Sequence, residues 1–267
     1  MNLLKYTKDK APSLCKQTRK FTSMSGGKYT TEVVGEGFGY KEYLLENGKR
    51  ISPWHDLSLR KSGNIFTGYF ELSFDDLKKK EVDATIEHNP VVWDTHSSRV
   101  TGEKQLRYYA KFPYVNYGML PQTWENSTIK DPKTGAFGDN DPLDICELGS
   151  TPIPTGSIVD IKILGSLCLI DQDELDWKIL ALNVKQADKE GIRDHKDFEE
   201  AYPAKIGAVR EWYRTIKVHD GKQENTFGYN EQVLSAEQSL EIIQENHESY
   251  NDLIKGKIQN DFKFWLR

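Results

Sequence analysis

Two short acidic stretches hold the residues best placed to do chemistry. Gly138-Asp-Asn-Asp-Pro-Leu-Asp-Ile-Cys-Glu147 sets Asp139, Asp141 and Asp144 within six residues. Carboxylates this close repel and push one another's pKa up unless a cation offsets them. A calcium loop counted from Asp139 needs Gly at its sixth position and Glu at its twelfth; Asp144 and Ser150 stand there. An aspartyl-phosphate phosphatase needs an apolar strand before its first acid, and Thr134-Gly-Ala-Phe-Gly138 is not one. A solvated acidic loop is the remaining alternative to a metal site. The second stretch, Asp171-Gln-Asp-Glu-Leu-Asp-Trp-Lys178, shifts that balance. On a strand, Asp176 and Lys178 share a face, whereas Asp173 and Glu174 read as a solvated hairpin tip. Two such acid clusters, joined by strands, point to one pocket for several Mg²⁺ ions, since hard cations take carboxylate and water oxygens. Carboxylate-held metals commonly serve phosphoryl transfer to water.

The elements that must position these groups are mainly strands. In Ile158-Val-Asp-Ile-Lys-Ile163 the apolar residues 159, 161 and 163 alternate with Asp160 and Lys162, the pattern of a half-buried strand. Strand character is also expected over 64–74, 106–112, 157–170 and 177–184. So many strands in one region imply a curled sheet or barrel. Helix is expected late, where Ile206, Val209, Tyr213 and Ile216, and then Val233, Ala236, Leu240 and Ile243, recur at helical spacing. Ser235 with Gln238 reads as a capping box for the second of these.

Across 267 residues, 36 Lys and Arg stand against 41 Asp and Glu, a net charge of −5, which argues against a nucleic-acid coat. The longest nearly apolar stretch, 163–170, is far shorter than the ~20 residues a membrane span needs. The three cysteines (Cys15, Cys146, Cys168) lack any paired spacing, and the six histidines show no HxH or HExxH pattern. Any metal ligands are therefore oxygens, and a reducing compartment fits the cysteines. Residues 1–22 carry six basic residues and only Asp9 as an acid, which reads as a basic N-terminal extension of transit-peptide type and points to a mitochondrial address, with the cytoplasm as alternative. Residues 23–267 then form one domain.

The chain resembles the family I soluble inorganic pyrophosphatases of eukaryotic type. The resemblance is carried by Gly138-Asp-Asn-Asp-Pro-Leu-Asp144 together with Ile51-Ser-Pro-Trp-His-Asp56, Phe112-Pro113, Asn116-Tyr-Gly118, Pro121-Gln-Thr-Trp-Glu125, Leu169-Ile-Asp171, Leu175-Asp-Trp-Lys178 and Asp220-Gly-Lys222, in the family's order, over roughly residues 28 to 255. It implies an α+β fold that is mainly β, an OB-fold-like five-stranded closed barrel with helices packed outside. It also implies hydrolysis of pyrophosphate to two orthophosphates and dependence on several Mg²⁺ ions, for which Mn²⁺ or Zn²⁺ can substitute. Residue by residue, Asp139, Asp144 and Asp176 resemble ligands of the tightest metal, and Asp141 the base for a water whose pKa the metals bring toward ~7. Asp171 and Glu81 resemble acids for further ions. Lys79, Arg107, Lys178 and Lys217 resemble the cations that grip phosphate oxygens. Tyr117 and Glu71 fall at family active-site positions.

Two departures stand out. Ile216, in Glu211-Trp-Tyr-Arg-Thr-Ile-Lys217, replaces a phosphate-binding hydroxyl; one lost hydrogen bond to a charged oxygen costs about 1.5–3 kcal/mol, which impairs activity without abolishing it. Tyr213, about 4.5 Å earlier along the helix, is a partial substitute. The segment Phe112-Pro-Tyr-Val-Asn-Tyr117 is shorter than in the family, which leaves Tyr114 a poor match for a second site tyrosine. A homodimer is the family's usual state. The departures motivate an alternative, a catalytically weakened subunit that serves a larger, mitochondrial assembly. Hydrolysis of a nucleotide is disfavoured by the lack of a GxxxxGK[ST] loop.

Overall fold

The computed structural model describes residues 20–22, 27–98 and 101–267. Its centre is a closed barrel of five strands: β1 (Ile65–Leu72), β2 (Asn116–Met119), β3 (Asp144–Glu147), β4 (Ile158–Asp171) and β5 (Glu174–Asn183). β1 pairs antiparallel with β2 and β2 with β3; β3 runs parallel to β5; β5 returns antiparallel on β4, and β4 pairs back with β1. The ring is therefore complete. β4 offers one edge to β1 over 158–162 and the other to β5 over 161–171, where the register shifts between Ile163 and Gly165. A side chain at Gly165 would stand 2.6 Å from the carbonyl oxygen of Leu234, so the residue must be glycine for the chain to pass.

Alternation along each strand sorts the side chains to two sides. Ile145, Ile161, Ile163, Trp177, Ile179 and Ala181 join Phe66 and Phe70 in one buried cluster, closed by Ile242 and Ile243 of the last helix. The opposite faces of β3 and β5 present Cys146, Leu180 and Leu182 to three helices, α1 (Val184–Glu190), α2 (His195–Ala201) and α3 (Lys205–Thr215). Three helices cannot fit inside a five-stranded barrel, so this second cluster is outside. Burying two faces at about 25 cal/mol per Å² of apolar surface is the main force that holds the closed form.

Helix α3 buries Ile206, Val209, Trp212 and Tyr213 and ends as Ile216 N–H donates to the Trp212 carbonyl. Helix α4 (Ala236–Ile254) opens at Ser235 with the expected capping box to Gln238; Val233 lies ahead of it. The run 106–112 is not the expected strand. Only Lys104–Leu106 is extended in a ladder, and Tyr108 makes a single bridge to Lys78. Arg107 N–H donates to the Asp94 carbonyl and Tyr109 N–H to that of Leu77, while Phe112 is 55% exposed, so apolar content here does not signify a buried strand.

A second sheet pairs Tyr29–Val34, Lys41–Glu46, Val91–Trp93 and Lys80–Val82, and Lys20–Thr22 adds at its edge. Three residues of the basic extension thus join the folded part. The transit-peptide reading otherwise falls on residues 1–19, and Cys15 with it, outside the described residues. Cys146 and Cys168 are buried and free. Among the described residues no helix is long and apolar enough to cross a membrane.

Candidate active site

β3 and β5 run side by side, and Asp144 lies directly opposite Lys178 in their register. Because alternate residues share a face, Asp144 and Cys146 on β3 align with Asp176 and Lys178 on β5, on the barrel's outer side. The acidic loop before β3 is held by backbone. Glu125 N–H donates to the Asp141 carbonyl and Asn140 N–H to that of Glu125, and any side chain at Gly138 would stand 2.5 Å from the Glu125 carbonyl carbon. These contacts bring Asp139 against Glu125 and Asp176, and one oxygen from each of the three lies within 4.8 Å of the others.

A single cavity of about 200 Å³ collects the remaining parts. Lys79, Glu81, Arg107, Tyr117, Asp139, Asp141, Asp144, Asp171, Asp176, Lys178 and Lys217 all line it, as do the solvated hairpin tip at Gln172 and Glu174 and the helix-end residues Trp212, Tyr213 and Ile216. Eleven of the twelve expected residues therefore meet in one place. The twelfth, Glu71, is not among the lining residues: it is 3% exposed and its Oε1 accepts from Val82 N–H at 2.7 Å. Its carboxyl is pushed well up by burial and by Asp144, so it supports the wall from behind.

The acids press on one another. Burial, then Asp176 and Asp141, hold the Asp139 carboxyl well above its usual range. Asp141 is reached by solvent through the cavity yet ringed by protein atoms; burial, then Glu81 and Asp144, push it up to about 7. Burial also raises Asp176 to about 7, outweighing the pull of Lys178 downward, with Asp144 adding a smaller push upward. Lys178, with its side chain 3% exposed, is bonded to Asp144 and to Asp176. Its Nζ sits 5.6 Å from the ring centre of Tyr117 and 5.2 Å from that of Tyr213, within reach of the negative ring faces.

The opposite wall is made of matched charges. Asp94 Oδ2 accepts from Lys79 Nζ at 3.0 Å and from Arg107 Nη1 at 3.2 Å. Its backbone does the same work: Asp94 N–H donates to the Lys79 carbonyl, and its own carbonyl accepts from Arg107 N–H. Glu81 also bonds Lys79. Burial alone would lower the Lys79 ammonium, but Glu81 and Asp94 hold it above its usual value. Lys217 is paired with Asp171, which ties the turn after α3 to the β4–β5 hairpin; burial leaves its ammonium below the usual value. Lys222 Nζ donates to Gln172 across the same gap.

Every one of the expected carboxylates near Gly138 can ligate oxygen-seeking ions, and the donor set fits a hard divalent cation. Glu125 Oε2 is buried with no hydrogen-bond partner, while Oε1 accepts from Trp177 N–H at 2.8 Å. An unpartnered carboxylate oxygen facing two more acids is stable only beside a cation or as the neutral acid.

A family model described as Inorganic pyrophosphatase matches residues 75–251. The chain belongs to the inorganic pyrophosphatase family. Soluble inorganic pyrophosphatase 6, chloroplastic, of Arabidopsis thaliana is 36% identical over 233 residues, 86% of this chain and 76% of that protein. Among solved structures, type I inorganic pyrophosphatase from Toxoplasma gondii is 32% identical with TM-score 0.77, covering 84% of this chain and 99% of that one. A truncated vacuolar soluble pyrophosphatase of Trypanosoma cruzi, solved in complex with PPi, is 26% identical with TM-score 0.76, covering 96% and 98%. This pyrophosphatase is thus an inorganic diphosphatase of eukaryotic family I type with the expected OB-like barrel.

Reading the sequence missed Glu125 and Asp94. Glu125 closes the Pro121-Gln-Thr-Trp-Glu run that carries the family resemblance, but nothing local marks it as a metal neighbour of Asp139. Asp94 follows an apolar strand 15 residues beyond Lys79 and 13 before Arg107, and only the fold joins the three. Tyr109 also enters the cavity, where burial pushes its phenol up to about 12, whereas Tyr114 is 49% exposed and lines none of it.

Proposed function

We propose that this pyrophosphatase hydrolyses pyrophosphate with Mg²⁺ held by the acid wall, Mn²⁺ or Zn²⁺ being able to substitute. The single observation that carries this is the trio of buried Glu125, half-buried Asp139 and buried Asp176, whose oxygens converge within 4.8 Å beside a wall of phosphate-seeking cations. Glu125, Asp139, Asp176 and Asp144 would hold the first ions, and Asp171 and Glu81 those that accompany substrate. Divalent ions there supply charge neutralisation and a water of lowered pKa. Asp141, at the cavity mouth with a carboxyl near 7, takes the proton from the attacking water. Lys79, Arg107 and Lys217 orient the phosphate oxygens, and Lys178, fixed between two acids and two rings, faces the charge that develops on the leaving phosphate.

The decisive experiment is phosphate release from pyrophosphate by the purified chain, with Mg²⁺ and then with chelator. Turnover with the metal and none with chelator is expected; absence of turnover with Mg²⁺ would sink the reading. A second reading, a weakened subunit of a larger assembly, is favoured by Ile216, which gives the cavity an apolar wall. Stoichiometric co-purification with other chains at low turnover would favour it, and light scattering that shows a free homodimer would count against it. The mitochondrial address rests on the composition of residues 1–22, and a reporter fused to those residues checks it.

A further inference from the structure

The face of β5 turned away from the catalytic cavity borders a second one. Asp176 and Lys178 line the first; Leu175 and Trp177, which alternate with them, line the other, a cavity of about 360 Å³ between β5, helix α4 and the loop 125–132. The two share no lining residue. Ile242, Glu245, Ser249 and Asp252 recur at helical spacing along the α4 side, and Tyr229 packs on Trp177 with ring centres 5.4 Å apart. The body of this cavity is apolar and its α4 rim acidic.

Two polar groups there are left unmet. Asn126 lines the cavity and is 5% exposed; its Oδ1 accepts from Thr128 N–H at 2.8 Å and from Thr128 Oγ1 at 2.7 Å. Its Nδ2 is buried with no hydrogen-bond partner among the described residues. A buried donor of this kind costs free energy until something accepts from it. At the rim most acids are engaged: Asp131 Oδ1 accepts from Thr134 Oγ1 at 2.7 Å, Glu248 from Gln244 Nε2 at 2.9 Å, and Asp252 pairs with Lys257 at 2.7 Å. The Glu245 carboxylate has no hydrogen bond or ion pair among the described residues. Burial, then Asp131, Glu241 and Glu248, hold it above its usual range, against the smaller pull of Lys133. Lys130, the one cation of the lining, lies over the Phe137 ring at 5.6 Å.

We propose that this cavity is a binding site for a small organic amine, with its ammonium at Glu245, a ring-sized apolar body against Leu175, Trp177 and Ile242, and an ether or carbonyl oxygen on Asn126 Nδ2. An uncommitted carboxylate meets a cation, an orphan donor meets an acceptor, and the span between them is apolar. The volume is that of a small-molecule site. A bare metal ion fits less well, because Glu245 is a single free carboxylate and Asn126 has a donor to offer.

The probe is para-methoxyphenethylamine, titrated by calorimetry into the full chain with excess Mg²⁺ present, so that the acid wall of the catalytic cavity is closed to the ammonium. One-to-one binding with a Kd of about 1 mM or tighter is expected for a ligand of this size. Phenethylamine, which lacks the ether oxygen, should bind about two- to tenfold more weakly, and para-methoxyphenethyl alcohol, with a hydroxyl in place of the ammonium, about 10-fold more weakly or worse. Glu245→Gln should weaken both amines about 10-fold and leave the alcohol unchanged. Glu199→Gln on α2, outside this cavity, should leave all three unchanged. Absence of saturable binding, or equal binding by wild type and Glu245→Gln, would overturn the proposal and leave the cavity to water. Equal binding of the two amines would overturn the contact given to Asn126. Binding that Mg²⁺ competes away would overturn the site as well, by placing the amine on the acid wall. None of these readings depends on turnover.

Discussion

The two walls of the cavity use the same residue type to opposite ends. Asp139 lines the cavity and Asp94 backs Lys79 and Arg107, both half-buried, yet burial and the neighbouring acids Asp176 and Asp141 hold Asp139 well above its usual range, whereas Lys79 and Arg107 pull Asp94 below it in spite of burial. Burial is common to both, so the neighbours decide. The wall of Lys79, Arg107 and Asp94 is complete in itself, because each cation has its counter-charge from this chain. The wall of Asp139, Asp141 and Asp176, backed by Glu125, carries an excess of carboxylate that Lys178 alone does not offset, and it is the wall that calls for ions from outside.

That contrast can be broken most forcefully at Asp141. Asp141→Asn removes the proton acceptor while keeping its shape, and kcat is expected to fall by about 10²–10⁴-fold in a steady-state assay. On the self-sufficient wall the effect should be smaller and of another kind. Asp94→Asn touches no substrate but loosens both Lys79 and Arg107, so KM for pyrophosphate should rise about 10-fold, more than kcat falls. Equal losses from the two variants, both in kcat, would erase the distinction between the walls.

Proton linkage sharpens the same contrast. Asp141 and Asp176 titrate near 7 in the folded chain and near their ordinary value when unfolded, so between about pH 4 and 7 the folded state holds the extra protons. Their contribution to stability is therefore present at low pH and is lost as pH rises through 7. Metal-free protein should show this as a thermal midpoint that falls over that window, and Mg²⁺ should flatten it because ions replace the protons. Calorimetry should register proton release on Mg²⁺ binding at pH 6 and less at pH 8. A metal-free midpoint that rises steadily from pH 4 to 7 would mean that paired acids such as Asp94 dominate instead. The smallest change is expected from Ile216→Tyr, a gain of a few-fold in affinity for pyrophosphate read as a lower KM, the net worth of one added hydrogen bond.

Much of this was legible in the sequence, and the parts that were not share a cause. The acids of Gly138–Glu147 announce themselves by local crowding, and Ile158–Asp171 and Glu174–Asn183 by alternation, since those are properties of neighbours along the chain. The capping box at Ser235 is likewise local. Glu125 and Asp94 act through partners far off in sequence, so no window contains the signal. Helices α1 and α2 escaped notice because they are seven residues each and bury only Ala187, or His195 and Phe198, too few for a stripe; their caps Asn183 and Asp194 were the available clue. The strand expected over 106–112 failed for the reverse reason. Its aromatic residues face solvent and the cavity, so apolar content there serves the site more than the core.

The pairing of β3 with β5 has a consequence for how the protein comes into being. It joins residues 144–147 to 178–181 in parallel, and a parallel pair cannot form through a tight turn; here β4 must cross between them first. Asp144 and Lys178 meet only when that last seam is sewn, so the site does not exist in any partly folded chain with an open barrel. Such long-range closure is slow compared with helix formation. Return of enzymatic turnover during refolding is therefore a clock for barrel closure itself, and helical content should recover ahead of it.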